Sequence, residues 1–382
     1  MKNLRGSNRL SSATRVGMDM RRSLILLLAA LVAACRPGTD DASTSGNVAR
    51  WAVDSIPALD IPSTGPDGNP TFLYAAAATQ LSNGMVAVAD PYDVSIRFFN
   101  PSGELTRKVG RLGDGPGEFN SPWWLKQCGQ DTVFVWDDIQ GQITVIDSAG
   151  HVVREINHPE VMLELACSRT GAISRISRPR VTDFPSAETP HHRAPLLITD
   201  TRGDTHSVGE VPAAENRPMG VMSRLAHSAD RLYLATGVSD SIQIYTHEGK
   251  PAGTLSLKVP RRRPTARNYE RAIDAQVANL PALGQQREEG KRMLLEIPMP
   301  TYLPTISGLF TDPEGWVWGV VSGPGDPATE LRGTSSDGLH LADLRIPEDI
   351  RVFEIGSDYV LGAHEDADGE QRIVKYTFQR RA

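Results

Sequence analysis

Asp90 and Asp137 stand 47 residues apart, each directly after a short apolar run: Met85-Val-Ala-Val-Ala and Thr132-Val-Phe-Val-Trp. Carboxylates at equivalent places in successive repeats could face one rim and hold a cation. Calcium, the cation such a rim would suit, needs six to eight oxygens. The plainer reading makes them turn residues whose carboxylates accept backbone N–H groups. Thr236 fills the corresponding place further on, and no Asp-x-Asp-x-Asp cluster occurs. His191 and His192 lie in Ser186-Ala-Glu-Thr-Pro-His-His-Arg193, read as a long loop; zinc would need a third ligand there, and Glu188 is the nearby acid. A solvated loop explains them as well. There is no Gly-x-Ser-x-Gly elbow and no His-Glu-x-x-His. The sequence therefore assigns no catalytic residue, no metal ligand and no cofactor, with calcium a candidate ion to be tested beside magnesium, manganese and zinc.

A second group could bind rather than react. Trp123 and Trp124 are consecutive, so on a strand one ring packs between neighbours and the other faces a channel or rim. Arg261, Arg262 and Arg263, with Tyr302 beyond them, could offer cations and a ring to an anionic ligand. A solvated junction balancing an acidic body is the alternative. Cys128 and Cys167 end the first strands of neighbouring repeats. They are either bridged or two small buried thiols, since a bridge requires Cα atoms about 4.4–6.8 Å apart.

The elements that must position these residues recur. Two short strands and a glycine-closed turn appear at 85–103, return at 132–150 and again at 231–249. Turn glycines fall at Gly103, Gly150, Gly203, Gly249 and Gly338, with gaps of 47, 53, 46 and 89. Units of about 40–45 residues with four strands are propeller blades. The count predicts an all-β fold: a six-bladed β-propeller of four-stranded blades, with a helical insertion between blades four and five accounting for the long gap. That insertion, 261–300, places Tyr269, Ile273, Val277 and Leu280 at helical spacing after an N-cap at Thr265, with a second helix near Met293, Leu294 and Ile297. The last blade, from Asp349, runs out of chain before its outer strand. The strand-like stretch 48–61 should complete it and remove an open edge.

Between the first two blades runs Gly110-Arg-Leu-Gly-Asp-Gly-Pro-Gly-Glu-Phe119, then Asn120-Ser-Pro122. It has neither the Gly-Lys-Ser/Thr ending of a phosphate loop nor the setting of a dinucleotide fingerprint. It resembles the blade link of NHL-type repeats, as does Ala87-Val-Ala-Asp90 with Ile96-Arg-Phe-Phe-Asn-Pro-Ser-Gly103. Pro304 to Trp318 looks like a blade opening in bacterial six-bladed propellers. The resemblance implies a fold, not a function. Some propellers of this kind, gluconolactonase-like and amidating-lyase-like enzymes, hold a divalent metal in the channel. It therefore leaves two classes open: a binding or scaffold module, and a metal-dependent hydrolase or lyase.

The first residues supply an address. Arg21-Arg22, twelve small or apolar residues and Cys35 follow the order of a secretory leader, too short to span a bilayer. Val32-Ala33-Ala34-Cys35 looks like a bacterial lipobox, which implies a signal peptide over 1–34, a lipidated Cys35, and attachment to the membrane through that lipid. Residues 35–47 then read as a flexible tether and 48–382 as one propeller. Translation could start at Met18 or Met20. Arg36, where inner-membrane lipoproteins of enteric-type bacteria carry Asp, points to the outer membrane. Without the leader's six basic residues and one acid, 34 basic and 45 acidic residues remain, a net charge of −11. So acidic a body is a poor match for nucleic acid. The expected protein faces the periplasm or the outside of a bacterial cell envelope, with an envelope protein or a small ligand as its partner.

Overall fold

The structure, a computed structural model, describes residues 48–129, 131–158, 160, 162–177, 191–215, 217–278, 285–323, 326–366 and 368–380. Cys35, the tether, Glu188 and Leu280 lie outside them. Six sheets of four or more strands form the blades of a propeller ring. Blade I comprises Ala77–Gln80, Val86–Asp90, Ser95–Phe99 and Leu105–Val109; blade II comprises Pro122–Gln127, Thr132–Asp137, Gln142–Asp147 and Val152–Asn157. Blades III and IV run from Met162–Cys167 to Thr205–Glu215 and from Arg224–His227 to Pro251–Ser256. Blade V runs from Gly308–Thr311 to Leu341–Ile346, and blade VI holds Ile350–Ile355, Tyr359–Glu365 and Gln371–Gln379. Neighbouring strands within every blade are antiparallel. The innermost strand of blade VI touches that of blade I, which closes the ring.

The middle strands are apolar because both of their faces are covered by neighbouring blades. Val86–Asp90, Ser95–Phe99 and Ile173–Ser177 are buried at every position. Outer strands such as Leu105–Val109 and Val152–Asn157 are largely exposed and charged. The blade signature in the sequence is thus the burial gradient from ring centre to rim.

Closure uses the N-terminal stretch in three pieces. Leu59–Pro62 runs antiparallel to Arg372–Lys375 and supplies the outer strand of blade VI. Ala52–Val53 pairs with Phe378 and Gln379. Ala49–Arg50 crosses to blade V and adds a fifth strand, parallel to Leu341–Ile346. Trp51, between the last two pieces, packs with Trp316, Trp318 and Phe378 at ring-centroid distances of 4.8–5.9 Å. Arg380 lies over the Trp51 ring and donates to Asp312, which also accepts from Trp318 Nε1. Gly333 leaves room for the Trp318 ring, because a Cβ there would come within 2.6 Å of it.

Two helices, α1 (Ala266–Ala278) and α2 (Gln285–Glu296), follow the last strand of blade IV and precede the first of blade V. Thr265 caps α1, its hydroxyl accepting the Asn268 N–H at 3.2 Å. Tyr269, Ile273 and Val277 form the buried stripe of α1 and meet Leu294 of α2 and Met219 of the link from blade III to blade IV. Among the described residues no helix is long and apolar enough to cross a membrane.

Candidate functional site in the central channel

The innermost strands converge on the axis, and the space they leave is a cavity of about 470 Å³ lined from all six blades. A volume of this size suits a small organic ligand. The cavity opens at the end where blade-to-blade links and the turns between second and third strands lie. An adjoining cavity of about 150 Å³, lined by Met219, Met222 and Leu303, shares Arg224, Ser307, Ser322 and Gly323 with the channel. The chain just beyond the helices thus reaches the channel rim.

An aromatic group marks the mouth. Tyr74, Tyr92 and Trp123 meet one another at centroid distances of 5.1, 5.6 and 6.4 Å, and both Tyr92 and Trp123 are exposed. Arg351 lies over the rings of Tyr74 and Phe353, at 5.1 and 5.2 Å, and donates to the Tyr74 hydroxyl at 2.7 Å and to the Ala75 carbonyl. Such a cluster gives a stacking surface with a fixed cation beside it.

Below the rim the walls are mostly apolar, interrupted by Lys126, Glu164, Arg224 and Asp349, whose carboxyl burial pushes up. Arg224 donates to Glu164 at 3.1 Å and to the Ser307 carbonyl at 2.8 Å. Burial pushes the Glu164 carboxyl up against the opposing pull of Arg224. Burial likewise lowers the Lys126 ammonium, which Glu354 and Glu164 only partly offset. Lys126 is enclosed by protein, so the surface it still exposes belongs to the cavity; its Nζ lies 5.6 Å from the Phe310 ring centroid. Glu354, deeper still, accepts from the hydroxyls of Thr79 and Tyr359.

At the far end His227 closes the channel. Its Nε2 lies 2.7 Å from Ser174 Oγ and its ring 5.2 Å from that of His247. Burial first, then the neighbouring His247, pull His227 down to about 3. It also lines a second cavity of about 540 Å³ on the opposite face, with Arg169, Asp230, Arg231 and Asp312.

The residues singled out from sequence fall in several places. Trp123 stands at the mouth; Trp124 lines the same cavity while packing between blades II and III with the Phe134 and Trp136 group. Asp90 and Asp137 do not face the channel. Asp90, fully buried, accepts the N–H groups of Leu73, Tyr74 and Asp93. Asp137, equally buried, accepts those of Asn120, Ser121, Ile139 and Gln140. Each clamps the link entering its blade to its own turn, which leaves no lone pair for a cation at the rim. Arg262 is paired with Asp326 at 2.9 Å and donates to the Val321 carbonyl at 2.5 Å. Arg261 and Arg263 flank the Tyr302 ring at 5.5 and 5.6 Å. The triplet and Tyr302 tie down the junction before the helices and do not line the channel cavity.

His191 and His192 open a strand, His191–Thr199, rather than sit in a loop, opposite Glu215 and Ala214. Among the described residues no three His, Cys, Asp or Glu side chains are gathered as a metal site would gather them. Cys128 and Cys167 form a disulfide with Cα atoms 5.8 Å apart. Equivalent positions one blade apart come this close because innermost strands converge at the axis.

Lys126, Glu164, Arg224 and Arg351 were not singled out from sequence. The signal available was a charge within an innermost strand: Lys126 in Pro122–Gln127, Glu164 in Met162–Cys167, Arg224 and Arg351 at the starts of theirs.

No protein-family model and no curated protein matches this chain by sequence. Solved structures do match in shape. A member of the DUF4221 family from Bacteroides vulgatus aligns over 87% of this chain and 99% of its own, at 11% identity and a TM-score of 0.50. A Bacteroides fragilis protein described as exported aligns over 86% and 96%, at 11% identity and a TM-score of 0.48. A gluconolactonase from Xanthomonas campestris aligns over 81% and 87%, at 12% identity and a TM-score of 0.43. At 11% identity the likeness to the DUF4221 member is one of fold alone.

Proposed function

We propose that this protein is a lipid-anchored binding module of the bacterial cell envelope that takes a small organic ligand into the mouth of its propeller channel. The observation that carries the reading is the channel cavity itself. About 470 Å³ of mostly apolar space opens under a stacking surface of Tyr74, Tyr92 and Trp123, with Arg351 fixed beside it. Binding needs a shaped pocket with a few placed polar groups, and this end of the channel has both. The envelope address is supported by the leader and by Val32-Ala33-Ala34-Cys35, and an oxidising compartment suits the Cys128–Cys167 disulfide. Lipid on Cys35 would hold the propeller to the membrane through the polar tether, with its mouth free to meet ligand.

The test is a thermal-shift screen of small organic acids, sugars and amphiphiles against the wild-type chain and Trp123→Ala. A ligand at 100 times its Kd stabilises the folded state by about 2.7 kcal/mol. The reading expects at least one compound class to raise the melting temperature of the wild type and to lose most of that effect in Trp123→Ala. Shifts that are indifferent to Trp123, or none at all, would refute it.

A further inference from the structure

We infer that the ligand is an apolar organic acid whose carboxylate is held by Lys126 inside the channel. The inference rests on the channel-binding reading and names the chemistry of the ligand. Three observations carry it.

Among the described residues Lys126 has no hydrogen-bond or ion-pair partner, although acids lie near it. Those acids are engaged elsewhere: Glu164 with Arg224 and the Leu225 N–H, Glu354 with the Thr79 and Tyr359 hydroxyls. Arg224 and Arg351 are likewise occupied, by the Ser307 carbonyl and by Tyr74 and the Ala75 carbonyl. An enclosed ammonium with no partner is costly, and the cost is recovered when an anion arrives. Among the described residues Lys126 is therefore a cation of this cavity wall left without a partner.

The cavity walls are mostly apolar, although Glu164, Arg224, Ser307, Asp349 and Arg351 also line them. Leu165, Leu225, Leu309, Phe310, Ile350 and Phe353 make up the apolar part, with Ala76 to Ala78 leaving room on the blade I side. A highly polar ligand such as a sugar would leave its hydroxyls unpaired against these walls. A hydrocarbon or aromatic body would not. The rings of Tyr74, Tyr92 and Trp123 then cover the outer part of that body at the rim.

The experiment uses the full chain carrying Cys35→Ser, so that no attached acyl chain competes for the cavity. Octanoate and 4-phenylbutyrate are titrated calorimetrically beside octanamide and 4-phenylbutanamide, which keep the shape and lose the charge. The wild-type channel should prefer each acid over its amide by at least about tenfold, the scale of one charge-assisted hydrogen bond. Lys126→Met should erase the preference, and Lys126→Arg should keep it. Circular dichroism and melting temperature confirm that both variants fold. Equal binding of acid and amide by the wild type, weakened together by Trp123→Ala, would overturn the carboxylate inference and leave the channel-binding reading standing. A preference that survives in Lys126→Met would also overturn it. Binding of neither acid nor amide would overturn the inference, while the broader screen decides the reading beneath it.

Discussion

Stability should fall by about 2.5 kcal/mol between pH 7 and pH 4.5 on account of one side chain, His227. It ends the innermost strand of blade IV and is 7% exposed, with Ser174 on one side and the His247 ring on the other. Burial and His247 bring its folded value down to about 3, from an ordinary 6.5. The unfolded chain therefore takes up a proton near pH 6.5 that the folded chain refuses until near pH 3. Acid favours the unfolded state across that window, and the contribution is fully present only above it. At pH 4.5 the unfolded group lies two pH units below its own value, worth about 2.7 kcal/mol, of which about 0.2 is already lost at pH 7. Because pH 4.5 is still above the folded value, the loss is set by the unfolded chain. The assay is urea unfolding of the wild type and His227→Gln at both pH values. Burial also lowers His158 and His247; both remain in the variant, and the contact of His247 with His227 is resolved by adding His247→Gln and the double variant. The wild type should lose about 2.5 kcal/mol more than His227→Gln on acidification. Equal losses within about 0.5 kcal/mol would refute the claim that His227 is held neutral.

Reduction of the Cys128–Cys167 bridge, which spans 39 residues of sequence, should cost about 4 kcal/mol in urea unfolding; two titratable thiols in the oxidised protein would show that the bridge is not formed. Asp137→Ala leaves four backbone N–H groups without their acceptor and should cost about 3 kcal/mol or more, with unchanged stability the outcome that removes its clamping role. Octanoate affinity in the wild type should fall with rising pH, starting below the ordinary lysine value of 10.5, because burial, with Arg169 nearby, eases loss of the Lys126 proton and Glu354 and Glu164 only partly offset it. Lys126→Arg should give a flat profile over pH 6–10, and a flat wild-type profile would show that Lys126 does not titrate as the anion's partner.

The blades were legible in the sequence because their burial gradient repeats. Val86–Asp90 with Ser95–Phe99, Thr132–Asp137 with Gln142–Asp147, and Arg231–Ala235 with Ser241–Thr246 are all strand pairs anticipated from apolar runs before a glycine turn. Thr265 and the stripe Tyr269, Ile273, Val277 were legible for the same reason, since a helix cap and a 3.6-residue period are local. The crossing of Ala49–Arg50 to blade V was not. A two-residue parallel pairing has no pattern of its own, and Trp51 shows its purpose only once Trp316 and Trp318 stand beside it.

The site was less legible because a channel is built from one strand per repeat, each about 45 residues from the next. Asp90 and Asp137 drew attention by recurring, yet recurrence marked a structural duty that every blade shares: holding the incoming link. The side chains that line the channel cavity do the opposite. Along the innermost strands the cavity is lined by Ala77, Lys126, Glu164, Arg224, Leu309 and Arg351, side chains that the blades do not share. The repeat supplies the frame, and a ligand is recognised by what breaks it. For this chain the departures to examine are a lone ammonium in one blade and small alanines in another. Together they turn a symmetric ring into an asymmetric pocket with a cation in one wall and more room along another.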